Sequence, residues 1–238
     1  MFGLGNRKKN TAAGFAGVSI QSDGVAVACV DRSQSPPELR LCRHFPLDAP
    51  VTLDEVLRTA AGERTLAGYP ASVILGADDF SLMLLEKPPV ADEELRAAVQ
   101  WKIRDLIDFP VEEAVIDVLS IPGGRNEMVY VVAARQAVVR EQIQRLEQAG
   151  FALEVVDIPE MAQCNLAGLL AEDEGGVAML SLRGTSGLFT ITRAGTLYLS
   201  RRLETGLDEL APDTGLDLPG DEADEEGLSL DAISSEQR

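Results

Sequence analysis

The chain has 238 residues, of which 45% are hydrophobic and 25% charged. This composition predicts one large or two small globular domains and excludes a wholly disordered, collagen-like or coiled-coil chain. The net charge is −18, with eleven acidic residues and one basic residue in 207–238, so nucleic acid is a poor partner. No apolar run reaches the roughly 18 residues of a membrane span, and three scattered cysteines favour a reducing cytosol.

The first part of the chain predicts a strand-rich unit. Period-two alternation predicts three strands, capping-box spacing predicts a helix, and a short apolar run predicts a buried strand. In order, these are two strands within 17–30 around a polar turn, a strand at 39–45, a helix from Thr52 to Ala60 with Glu55 completing the capping box, and a strand at 71–75. Residues 1–14 are expected to form a flexible lead, whose Arg7, Lys8 and Lys9 would give only weak contact with an anionic membrane surface.

Residues 78–150 predict a compact α+β insert with the order strand, helix, strand, strand, helix. The predicted elements are a strand at 80–85, a helix capped by Asp92 that runs to about 107, strands at 114–121 and 128–134, and a helix at 137–148 that Gly150 stops. Trp101, the one tryptophan, lies near the apolar stripe of the first helix. Core packing is its expected role, and anchoring of a partner is the alternative.

The remaining pattern repeats the order of the opening unit. A strand at 153–156 and a helix at 160–170 precede strands at 177–182, 188–192 and 196–203. In both units an apolar strand carries a serine, Ser19 or Ser181, just before a polar turn that contains glycine. This weak duplication predicts the ribonuclease-H-like architecture of actin and sugar kinases. Residues 207–238 are acidic and poor in apolar side chains, so disorder is expected there, and the second half is expected to be truncated.

Several colinear segments resemble the MshI family, which are PilM-like components of mannose-sensitive haemagglutinin (MSHA, type IV) pilus assembly. The segments are residues 1–4, 7–9, 17–24, 97–114, 156–160 and 192–198. The resemblance covers about residues 1–210. It implies an actin-like α/β fold with a first subdomain at 15–77 plus 151–172, an inserted subdomain at 78–150 and the start of a second actin-like subdomain at 173–206.

The resemblance also places a nucleotide site at two hairpins. Actin-like ATPases hold phosphates and Mg²⁺ there, and PilM-like proteins pair an aspartate with a glycine in each hairpin. This chain has Ser19 and Gln21 at those positions of the first hairpin, and Ser181 and Arg183 in the second. The carboxylates that hold metal-bound water and the glycines that admit phosphates are therefore missing. The degenerate loop equivalents are Ser19, Gln21, Ser22, Asp23, Ser181, Arg183, Gly184 and Thr185.

Neither catalysis nor a resident cofactor is expected from these residues. ATP hydrolysis would lack its metal ligands, although binding of ATP with Mg²⁺ stays open as an alternative. Cys42 and His44 lie two apart on one strand and would supply half of a metal site. Because zinc needs about four ligands and His44 is the one histidine, no metal site is expected.

The resemblance implies a cytoplasmic adaptor that is held at the inner membrane through its partners. A groove between the insert and the first subdomain would receive a cytoplasmic peptide of a PilN-like bitopic membrane protein. The chain would also help to couple the platform to the pilus assembly ATPase. Two alternatives stay open: a nucleotide-binding actin-like ATPase switch, and the cytoplasmic domain of a type II secretion platform protein, which predicts a transmembrane segment downstream.

Overall fold

The computed structural model describes residues 2–3, 14–33, 37–123 and 127–210, with side chains for all of these except 2–3. Within this part the chain forms twelve strands and five α-helices, together with three short 3₁₀ turns. The strands are β1 Phe2–Gly3, β2 Gly14–Gln21, β3 Gly24–Asp31, β4 Glu38–Pro46, β5 Ala71–Ile74, β6 Phe80–Glu86, β7 Ala114–Ile121, β8 Met128–Arg135, β9 Leu153–Asp157, β10 Val177–Arg183, β11 Ser186–Arg193 and β12 Thr196–Leu203. The helices are α1 Leu53–Ala61, α2 Asp92–Ile103, α3 Gln136–Ala149, α4 Pro159–Ala167 and α5 Leu207–Leu210.

A six-stranded sheet in the order β1-β9-β5-β2-β3-β4 forms the first layer. The strands β2, β3 and β4 are an antiparallel meander, while β5 pairs parallel with both β2 and β9. The expectation of a flexible lead differs from the structure at both ends, because Phe2 pairs opposite Val156 at the sheet edge and Gly14 opens β2. Arg7, Lys8 and Lys9 lie outside the described residues.

Helices α1 and α3 cover one face of this sheet. The predicted capping box is confirmed, since Thr52 accepts a hydrogen bond from the Glu55 amide and the Glu55 side chain accepts one from the Thr52 amide. Helix α3 ends at Gly150, whose left-handed backbone (φ 108°) suits glycine. The sequence assigns α3 to the insert. In the structure it also packs against α1 and β9, and its Leu146 is fully buried in the core of the six-stranded sheet.

The insert is built on a three-stranded antiparallel sheet in the order β6-β8-β7. Helix α2 covers one face of this sheet, where Leu95, Val99 and Ile103 pack on alternate residues of β8. The other face turns toward the rest of the molecule through side chains such as Leu82 and Tyr130. Helix α2 begins after Ala91, so Asp92 is its first residue and not its cap, and it ends four residues earlier than expected.

Trp101 does not lie in the core, so the expectation of core packing is wrong. Its side chain is 76% exposed. The reason is helical geometry: Trp101 is two residues from both Val99 and Ile103, which places it about 200° around the helix axis from the buried stripe. Nearness to an apolar stripe in sequence was therefore misleading, and the alternative role as a partner anchor remains a hypothesis.

We expect Trp101→Ala to change the free energy of unfolding by less than about 0.5 kcal/mol, because little surface is buried there. Ile103→Ala, on the buried side of the same helix, should cost about 3 kcal/mol. Urea unfolding followed by circular dichroism measures both. In the wild type, acrylamide should quench the single tryptophan freely, and a protected indole or equal costs for the two variants would contradict the placement.

The second layer is the three-stranded antiparallel meander β10-β11-β12. Helix α4 packs on one of its faces, where the Gln163 amide donates to the Leu188 carbonyl (3.3 Å) and the Thr190 hydroxyl donates to Gln163 Oε1 (2.7 Å). The insert reaches β12 through Tyr130, whose hydroxyl accepts from the Ser200 amide at 3.2 Å. These contacts hold the second sheet against the other two units.

The acidic segment begins with the short helix α5, whose Asp208 amide donates to the Gly184 carbonyl (2.9 Å). The expected disorder of 207–238 does not apply to this helix, and residues 211–238 lie outside the described part. None of the helices in the described ranges combines the length and apolar character needed to cross a membrane.

Candidate functional site

A cleft of about 450 Å³ lies between the six-stranded sheet and the second sheet. The C-terminal end of β2 and the segment after β5 form one wall, and strands β10, β11 and β12 form the other. The start of α4 forms the floor. The lining is mostly apolar, with Ile74, Leu166, Met179 and Leu188 among its side chains. Because β2 and β10 both end at this cleft, the fold brings the two predicted hairpins to one place.

Half of the sequence-predicted site residues line the cleft. These are Ser19 and Gln21 from the first hairpin and Ser181 and Arg183 from the second. The Gln21 amide donates to Ser19 Oγ at 3.4 Å, so the two side chains partly satisfy each other. The turn residues Ser22, Asp23, Gly184 and Thr185 do not contribute to the lining.

Asp23 instead faces the outer side of its hairpin. Its carboxylate lies 3.7 Å from His44 Nε2 on β4. Gly184 adopts a left-handed conformation (φ 39°) at the second turn, and its carbonyl accepts from Asp208. These residues therefore shape the turns, and the groups presented to the cleft by the hairpins are two hydroxyls, an amide and a guanidinium.

Sequence reasoning missed the cleft's acid, Glu160. This residue follows Pro159 at the start of α4, and its side chain is only 1% exposed. Its Oε1 lies 3.5 Å from Arg202 Nε on β12. Arg202 in turn lies over the Phe80 ring, 4.4 Å from its centroid, and donates to the Ala77 carbonyl. The acid thus sits where α4, β12 and the connection between β5 and β6 meet.

In sequence, Glu160 looks like an ordinary acid in the first turn of a helix, where negative charge is favourable. Arg202 looks like an exposed strand residue. Only the packing of β12 against α4 brings the two together, over 42 positions of sequence, so no local signal could have found the pair.

Burial raises the pKa of the Glu160 carboxyl, and its own backbone amide and the Arg202 guanidinium offset only part of the effect. The Oε2 atom is buried and has no hydrogen-bond partner. Burial also raises the pKa of Asp157, at the end of β9, although the Ile158 amide donates to its Oδ1 at 2.9 Å. The cleft therefore holds one carboxyl group that resists ionisation, Glu160, and Asp157 is a second buried acid outside its lining.

A raised carboxyl pKa makes stability fall as pH rises. The folded state keeps the proton of Glu160 at pH values where the unfolded chain has lost it, so unfolding is favoured between the ordinary carboxyl pKa and the raised one. We expect Glu160→Gln to flatten this dependence in urea unfolding measured from pH 4.5 to 8. Glu112→Gln, which removes an exposed carboxylate, should leave the slope as in the wild type; equal slopes for all three proteins would contradict the assignment.

The lining does not fit a magnesium nucleotide bound as in actin-like ATPases. Among the lining residues Glu160 is the one acid, and it lies on α4 and not in either hairpin. Gln21 and Arg183 occupy the positions where glycine would admit phosphates. Cys42 and His44 lie on β4 without further ligands, and no group of three or more His, Cys, Asp or Glu side chains that could hold a metal occurs in the described part of the chain.

No protein-family model and no curated protein matches the sequence. Solved structures do match. A chain of the PilM–PilN type IV pilus biogenesis complex aligns with 87% of this chain and 67% of its own length, at 23% identity and a TM-score of 0.66. The cytoplasmic domain of EpsL, an inner-membrane component of the type II secretion system of Vibrio cholerae, aligns with 87% of this chain and 79% of its own length, at 18% identity and a TM-score of 0.56.

A protein of unknown function with an actin-like ATPase fold, from Bacteroides thetaiotaomicron, aligns with 86% of this chain and 76% of its own length, at 10% identity and a TM-score of 0.47. The fold class predicted from the sequence is confirmed: the chain has a mixed α/β, actin-like fold. The end of β2, from the meander β2-β3-β4, lies across the cleft from the meander β10-β11-β12.

Proposed function

We propose that this chain is a non-enzymatic adaptor of a type IV pilus assembly platform, of the MshI kind in the MSHA system. It would act at the cytoplasmic face of the inner membrane, bind the cytoplasmic segment of a PilN-like bitopic protein and help to couple the platform to the assembly ATPase. The observation that carries the proposal is the fold shared over 87% of the chain with the PilM–PilN complex. The two hairpins that hold serines in place of carboxylates favour scaffolding over ATP hydrolysis.

Charge complementarity supports a membrane-protein segment as the partner. Cytoplasmic segments next to a transmembrane helix carry an excess of lysine and arginine. This chain carries a net charge of −18. Attraction between the two would speed association and would weaken as salt screens the charges.

We place the peptide site at the groove that the resemblance implies between the insert and the first subdomain. Helix α3 and the inner face of the β6-β8-β7 sheet meet there, and their apolar side chains join the core of the first layer. A binding peptide would bridge two units that are already packed together, so the site would need little rearrangement when the partner arrives.

The test is calorimetric titration of the full chain with a synthetic peptide of the cytoplasmic segment of a PilN-like protein. We expect a Kd of about 10 μM or tighter, or roughly 7 kcal/mol. A scrambled peptide of identical charge is the control, because it keeps the electrostatic attraction and loses the order of side chains. Equal binding of both peptides, or binding of neither, would contradict the proposal.

A nucleotide switch is the second candidate, favoured by the convergence of both hairpins on one cleft. It differs from the adaptor in a titration with Mg-ATP. We expect no saturable heat, because neither hairpin supplies a carboxylate for the metal. Saturable binding at about 10 μM or tighter would instead support a nucleotide-dependent switch and would contradict the non-enzymatic proposal if turnover accompanies it.

A type II secretion platform protein is the remaining alternative, favoured by the likeness to the EpsL cytoplasmic domain. That function predicts a full-length product with its own membrane-spanning helix. The adaptor proposal predicts membrane association that depends on the partner. Fractionation of cells with and without the PilN-like gene distinguishes the two, since only the adaptor would leave the membrane fraction when the partner is deleted.

A further inference from the structure

We propose that the cleft between the two sheets binds a ligand with a cationic nitrogen on an apolar stem, an ammonium or a guanidinium, seated against Glu160 Oε2. This site is separate from the peptide groove of the proposed function and does not depend on it. Glu160 is 1% exposed and lies on the cleft floor, and its Oε2 has no hydrogen-bond partner. A buried carboxylate oxygen without a donor is costly, and a charged donor is the strongest partner that it can receive.

The neighbours of Glu160 leave its buried Oε2 without a donor. Arg202 from β12 reaches only Oε1, at 3.5 Å, and its guanidinium also donates to the Ala77 carbonyl and lies over the Phe80 ring. Gln163, one turn along α4, is already engaged with Thr190 and Leu188. The Ser200 hydroxyl on β12 also lies close enough to the carboxyl to lower its pKa, but Oε2 itself has no hydrogen-bond partner in the described part of the chain.

The rest of the cleft selects the stem of the ligand. Its walls are mostly apolar, with Ile74, Leu166 and Met179 among them, and the volume of about 450 Å³ exceeds that of one lysine or arginine side chain. An alkyl stem would cover these walls while its terminal nitrogen meets the carboxylate. Arg183, at the mouth, would repel a second cation and attract an anionic group on the outer part of the ligand.

Two sources share this chemistry: a free alkyl amine, and a basic side chain carried on a peptide. Binding should be coupled to a proton in either case. The groups that face Glu160 are Arg202 and the Ser200 hydroxyl from β12 and the Tyr130 hydroxyl from β8, with Arg183 farther out on β10. A cation prefers the ionised carboxylate, so its arrival should release a proton, and affinity should rise up to about tenfold per pH unit until Glu160 is ionised.

The experiment titrates the full chain with agmatine, a guanidinium and an ammonium joined by an alkyl stem, and with a short arginine-containing peptide. We expect Glu160→Gln to weaken binding at least tenfold and Glu112→Gln, which removes one exposed negative charge, to change it less than twofold. Ser181→Phe, which fills the cleft without altering Glu160, should also weaken binding at least tenfold. Circular dichroism establishes that each variant is folded.

Agmatine binding that depends on Glu160 supports the site with a free amine as ligand, and peptide binding alone with the same dependence supports it with a macromolecular source. Equal affinity in the wild type and Glu160→Gln overturns the proposal, as does failure of both probes to bind. Either of these two results would leave the proposed adaptor function standing, because that function is tested separately with the partner peptide at a different groove.

Discussion

Leu146→Ala is expected to lower the free energy of unfolding by about 3 kcal/mol, among the largest effects of any single substitution here. Leu146 lies on α3 and is fully buried in the core that the first sheet shares with α1. The truncation removes apolar contact and leaves a cavity that a sheet and two helices cannot readily close. Urea unfolding followed by circular dichroism measures the loss.

Trp101 provides a second probe of the same variant, because the single tryptophan lies on the insert. Since α3 packs on both the insert and the first sheet, Leu146→Ala should shift the fluorescence and circular dichroism curves together. Leu84→Ala, which truncates a half-exposed leucine of β6, should cost less than about 1 kcal/mol. A fluorescence curve left unchanged by Leu146→Ala would mean that α3 does not link the two units.

Gly24→Ala is expected to cost about 3 kcal/mol or more. Gly24 begins β3 at the first hairpin, and a Cβ there would overlap the carbonyl oxygen of Phe45 and approach His44 Nε2 to 2.8 Å. The backbone of β4 would have to move away from β3. The matched control is Gly17→Ala on the neighbouring strand, where a Cβ meets nothing within 4 Å.

Gly17→Ala should be neutral or slightly stabilising, because it removes freedom from the unfolded chain without a clash in the folded one. Thermal unfolding of the two variants beside the wild type measures the difference. If both glycines tolerate alanine equally, the close approach of β4 to the first hairpin is not present in solution. Because Gly24 does not line the cleft, Gly24→Ala can lower stability without changing ligand binding in the cleft.

The strand-rich units were predictable because local chemistry fixes them. Apolar alternation in 17–30 and 39–45, and again in 177–203, predicts the two meanders, and the Thr52–Glu55 capping box begins α1 where expected. The convergence of Ser19 and Ser181 on one cleft also followed from the sequence, through the resemblance to PilM-like proteins and the repeat. The prediction of an actin-like fold depended on the same two features, the repeat and the resemblance.

Features set by long-range packing escaped prediction. The buried pair of Glu160 and Arg202 exists only because β12 lies against α4. The double role of α3 depends on two surfaces that meet it from different parts of the chain. Trp101 is exposed for a simpler reason, since helical geometry places it about 200° around the axis from Val99 and Ile103.

The pairing of Phe80 with Ala134 places the first residue of the insert's sheet directly opposite one of its last. The sheet of the insert therefore begins and ends at points separated by roughly 5 Å, one strand spacing, and α3 then carries the chain back to β9. A segment whose two ends lie this close together can be replaced by another segment, or can accept an insertion, without moving the strands on either side. In evolution this geometry would let one actin-like frame acquire different recognition modules by recombination. In the laboratory it marks the boundary at which inserts of related proteins could be transplanted.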